Sequence, residues 1–154
     1  MKKMTVMIAA VLALTAPMAS HAAMDHGPMA GHGAHQGDVA HEEVVDGVKS
    51  TFKVMSMKEH MKAMNMDLPK DTKETHHVAV EFKDAKTGKS LTEGEVKVKL
   101  LNPDKTEQVK DLMGMQGHFG ADFDLSKKGK YGVMTKFQLK DGKVRQSRFW
   151  YTVK

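Results

Sequence analysis

The chain contains no cysteine. Disulfides, thiolate metal sites and thiol nucleophiles are therefore all excluded, and the fold must rest on an ordinary hydrophobic core. Proline is scarce, with 4 residues in 154, and tryptophan occurs once, at Trp150. Apart from the run Met4 to Leu14 near the N-terminus, no stretch is apolar for long, and that run is too short to span a bilayer. The formal net charge of +5 is mild, and lysines alternate with acids instead of forming a basic block, which argues against a nucleic-acid partner. No His-Glu-x-x-His helix, nucleophile elbow or glycine-rich phosphate loop occurs, so no enzymatic activity is expected.

What the chain does have is methionine and histidine, 14 and 9 residues respectively. They gather in two clusters. The first runs from Met55 through Met57, His60, Met61 and Met64 to Met66, and the second is Met113-Gly114-Met115-Gln116-Gly117-His118. Thioether sulfur is a neutral, polarizable donor suited to Cu(I), while imidazole takes Cu(I), Cu(II) and Zn(II), so the mixture favours copper, chiefly Cu(I).

The N-terminus reads as a secretory signal peptide: Met1-Lys2-Lys3, the apolar run, Pro17, then Ala19-Ser20-His21-Ala22 with cleavage after Ala22. Residues 1–22 are thus expected to be a leader to the periplasm. Residues 23–41 are rich in Gly, Ala and His, with His26, His32, His35 and His41 among Met24 and Met29, and without apolar periodicity. A disordered arm is expected here, either a loose metal collector or a solvated linker.

Residues 42–154 form the expected folded domain. Val48, Ser50, Phe52 and Val54 alternate after a hairpin turn at Asp46-Gly47. The same period of two recurs at Val78 to Phe82, Val96 to Leu100, Thr106 to Leu112, Phe119 to Leu125, Val133 to Leu139 and Phe149 to Val153. About seven short strands with regular turns predict an all-β, immunoglobulin-like antiparallel sandwich. One short Met-rich helix interrupts it: Ser56 and Glu59 form a capping box, Lys58 to Met66 are mostly good helix formers, and Leu68-Pro69 ends the run.

Strand parity sorts the unusual residues. Met55 and Met57 share the parity of Lys49, Thr51 and Lys53, opposite Phe52 and Val54. His77, Met134 and Trp150 likewise oppose their apolar neighbours. Two explanations stand side by side. The helix packs across an outer face and makes Met61, Met64, Met134 and Trp150 a second small core, as methionine readily does. Alternatively, Met55, Met57, His60, Met61, Met64, Met113, Met115 and His118 are metal ligands, with His77 as a further imidazole. His60 with Met64, and Met57 with Met61, lie one helical turn apart and suit chelation. Met113 and Met115 project to one side of a strand, with a turn through Gly114 and Gly117 that brings His118 toward them.

The segment from His76 to the C-terminus resembles the small exported immunoglobulin-like domains of the YtkA-like and FixH-like group. The resemblance lies in Asp84-Ala85-Lys86-Thr87-Gly88-Lys89, Val96 to Leu101 with Asn102-Pro103-Asp104, Met113 to His118, and Gly129-Lys130-Tyr131-Gly132. It implies a role in copper handling and singles out Met113, Met115 and His118. The expectation is a periplasmic Cu(I) chaperone or buffer without a membrane anchor, exchanging copper with another periplasmic copper protein. A partner-binding module with a Met-rich surface and a His-based divalent-metal buffer are the alternatives.

Overall fold

A computed structural model describes residues 37–154. The expected leader, residues 1–22, and residues 23–36 of the expected arm lie outside the described residues. The described chain runs β1 (Asp38–Val45), β2 (Val48–Ser56), α1 (Met57–Ala63), β3 (His76–Asp84), β4 (Gly94–Leu101), β5 (Glu107–Met115), β6 (His118–Phe123), β7 (Gly129–Leu139) and β8 (Val144–Val153). All pairings are antiparallel, in the order β1-β2-β3-β6-β5-β4-β7-β8. The sheet nearly closes, because β1 returns against β8: the His41 ring stacks on Phe149 at 4.6 Å and Ser147 donates a hydrogen bond to Glu43. The expected all-β sandwich is therefore what forms, with eight strands where the sequence pattern suggests seven.

Alternation explains the interior. Phe52, Val80, Phe82, Val98, Phe123 and Phe137 all point inward and are buried, while the lysines between them face out. The strand β5 joins the two halves of the sheet, since Glu107 to Leu112 pair with β4 and Met113 to Met115 pair with β6. The turn at Asp46-Gly47 has positive φ at both residues, 45° and 76°, as the two-residue hairpin between β1 and β2 demands.

Two boundaries differ from the sequence reading. β1 begins at Asp38 and so takes in four residues, Asp38 to His41, given above to the arm. A register shift between Val39 and His41 breaks the alternation that would have marked them as strand. The helix α1 keeps its capping box, with the Ser56 hydroxyl accepting from the Glu59 N–H at 3.2 Å. It stops at Ala63, well short of Leu68-Pro69. Asn65 adopts φ +52°, and the Met66 and Asn65 N–H groups bond back to the Met61 and Lys62 carbonyls at 2.9 and 3.1 Å, so asparagine in the left-handed conformation ends the helix.

The segment carrying α1 leaves the sheet after Ser56 and rejoins it at His76, the residue that Ser56 pairs with. Its root is fixed by the Met57 N–H donating to the Thr75 carbonyl at 2.8 Å. Thr75 is itself tied to β6 by a bond from its N–H to the Phe123 carbonyl at 3.0 Å. This holds α1 over the outer face of β2 and β3.

Candidate metal centre

The register of the sheet assembles the centre. Met55 pairs with His77, and His77 pairs with Asp122, so the three stand in one row across β2, β3 and β6 on the outer face. One step along, Gly120 lies between Ala79 and Met113, and the next outward residue of β6, His118, pairs with Met115. Above this row lies α1, whose buried residues are Met57, His60 and Met61.

Three imidazoles meet there. The His60 ring stacks on the His77 ring with centroids 3.8 Å apart and planes 4° apart, and His118 meets His77 edge-on at 6.3 Å. All three are buried, with exposures of 4%, 2% and 3%. Asp122 Oδ1 lies 2.6 Å from His77 Nδ1. An ionised carboxylate can only accept, so His77 donates from Nδ1. This carboxylate–histidine pair is the arrangement that orients metal-binding imidazoles. Among the described residues, His60, His77 and Asp122 also offer ligand atoms that all lie within 4.8 Å of one another.

Electrostatics keep the donors in a ligating form. Burial, then the neighbouring His77, lowers the His60 pKa below its ordinary value. Burial is likewise the main cause for His118. The hydrogen bond from His77 holds the Asp122 carboxyl below the usual range, against the opposing effect of burial. Neutral imidazoles and an ionised carboxylate are the forms that bind metal.

Space is made by glycine. A Cβ on Gly120 would stand 2.5 Å from His77 Nε2 and 2.8 Å from its Cε1, so any larger residue would displace the ring. The hairpin from Met115 to His118 turns on Gln116 and Gly117, with φ of +44° and +85°. Gly114 is not part of that turn. It lies within β5 and faces the Phe119 ring.

The residues singled out from sequence divide into three groups. Met55, Met57, His60, Met61, His77 and His118 are buried in or beside the row. Met113 and Met115 share its face but are exposed. Met64, although one turn from His60, is the exposed C-cap of α1 and does not join the buried group. The second small core does not form as a unit either: α1 packs on β2 and β3, whereas Met134 and Trp150 lie on β7 and β8, with the exposed indole against Gly132. Asp122 is the residue that sequence reasoning missed. Its outward parity opposite Phe119 and Phe123 was readable, but its meeting with His77 depends on the pairing of β3 with β6.

No family model and no curated protein matches the sequence, so no such match supports the resemblance to YtkA-like and FixH-like domains. Among solved structures, a DUF4426 family protein from Pseudomonas aeruginosa PAO1 is similar, with a TM-score of 0.55 at 13% identity over 73% of this chain and 96% of that one. At that identity the likeness concerns the fold alone. Among the described residues no helix is long and apolar enough to cross a membrane.

Proposed function

We propose that the chain is a periplasmic copper-binding protein, exported by its leader, that buffers or hands on the metal through the histidine face beneath α1. The observation that carries this reading is the convergence of His60, His77 and His118, buried and drawn from three separate elements, on one side of a sheet whose other outward positions are mostly polar. Burying three imidazoles together has a desolvation cost that simple packing would avoid by using apolar side chains. Met55 pairs with His77 across the sheet, Met57 and Met61 are the other buried residues of α1, and thioether with imidazole is a donor set matched to Cu(I). Asp122 orients His77 and adds a hard oxygen that would also accommodate Cu(II).

The test is an anaerobic Cu(I) titration of the protein against a chromophoric chelator, repeated for His60→Ala and His77→Ala. Stoichiometric binding that weakens by about tenfold or more in each variant, or ~1.4 kcal/mol, supports the reading. Binding no tighter than that of free methionine, or unchanged in both variants, removes it.

A further inference from the structure

Methionine on this face falls into two populations. Met55, Met57 and Met61 are buried, whereas Met113 is 72% exposed and Met115 37%. Met113 is largely open to solvent and Met115 partly so. Both are nonetheless aimed at the histidine side of the sheet, because Met113 pairs with Gly120 and Met115 with His118. The intervening Gly114 faces Phe119 on the opposite side, so the placement is set by strand alternation. The two-residue turn at Gln116-Gly117 fixes the register of this hairpin. His118 stands between the two populations. It is buried, pairs with Met115, and presents its ring edge-on to His77 at 6.3 Å.

We propose that Met113 and Met115 form a surface capture site for Cu(I), distinct from the buried imidazoles, which loads the buried site by way of His118. This rests on the copper reading above and adds a route to it. The chemistry is ligand exchange: a Cu–S bond to a surface thioether breaks as a Cu–N bond to the His118 imidazole forms, and that bond is exchanged in turn for one to His77 or His60. The copper stays Cu(I) throughout, no electron moves, and a neutral imidazole releases no proton. A neutral, soft, solvent-facing pair suits the first step because it competes for Cu(I) without binding it so tightly that it cannot leave.

A capture site speeds passage in both directions and leaves the resting equilibrium alone, which separates it from a set of resting ligands. The experiment compares the wild-type protein with the double variant Met113→Leu, Met115→Leu, a change that conserves volume on an exposed surface and leaves the fold intact. Cu(I) is supplied anaerobically as its complex with a chromophoric chelator, and loading and release are followed by stopped flow. In the variant, loading and release should both slow by about tenfold while the equilibrium affinity stays within about threefold. Weaker affinity with an unchanged loading rate would make the two methionines resting ligands and overturn the proposal, as would no change in either quantity. A wild-type protein that takes up no Cu(I) at all overturns the copper reading together with it.

Discussion

His60 lies flat on His77, ring on ring, with 3.8 Å between centroids and 4° between planes. Two imidazolium ions cannot share that geometry comfortably. At an effective dielectric constant of about 20, like charges some 4 Å apart repel by about 4 kcal/mol. The stack therefore requires at least one neutral ring, and His60, whose pKa burial and His77 both lower, meets that requirement.

The metal-free protein should lose stability on mild acidification. Unfolded, the imidazoles of His60, His76 and His118 titrate near the ordinary value of about 6.5. Folded, all three are held lower, with burial the leading cause. Below that ordinary value the unfolded chain binds more protons than the fold, so stability falls as pH drops through it and on toward the lowered folded values. Asp122, also lowered, acts in a more acid window, where its stabilisation is lost as pH falls through its depressed value. Melting temperatures across this range should be nearly level above pH ~7.5 and decline below pH ~6.5. A flat profile down to pH ~5 would contradict a neutral His60 in the stack.

Gly120→Ala should damage the centre while Gly114→Ala should be nearly silent. The first places a methyl 2.5 Å from His77 Nε2, and the second meets only the Phe119 ring at an ordinary 3.6 Å. Displacing a buried ring of this kind costs about 1–3 kcal/mol. Thermal melts and copper titrations of the two variants, side by side, check the difference. Equal behaviour would mean that the position of His77 does not matter.

Trp150 should not report copper bound at the histidine face. The indole is exposed against Gly132 on β7 and β8, which are separated from β3 and β6 by two other strands in either direction around the sheet. Saturation with copper at one equivalent should therefore leave the emission maximum of the only tryptophan in place. A stoichiometric shift would put the ion near β8 instead.

Much of the architecture was readable because it is local. The turn Asp46-Gly47, the Ser56–Glu59 capping box and the alternation of every strand from β2 onward are set by neighbours in sequence. So is the outward parity of Met55 and His77. What was not readable is what depends on distant pairing. The order of strands sets β3 beside β6 across two intervening strands in sequence, and only this brings Asp122 to His77. The direction in which α1 folds back decided that Met57 and Met61 are covered and Met64 is not. It also left Met134 and Trp150 without the helix. Asp38 to His41 carry too little apolar signal to look like strand, and they become one by pairing with β2 and by the seat that Phe149 offers His41.

The excursion that carries α1 begins and ends at one ladder pair, Ser56 with His76. Beyond the Met57–Thr75 hydrogen bond at its root, the backbone of its covering residues His60 and Met61 bonds within the helix segment and not to the strands beneath. Such a segment can open as a cooperative unit of its own, at a free energy set by the packing of Met57, Met61 and the His60 ring and well below that of global unfolding. Amide protons of α1 should accordingly exchange with solvent much faster than those of β2 and β3. The rate at which the histidine face becomes accessible is then separable from the robustness of the sheet, so substitutions on a seven-residue helix could retune one without touching the other.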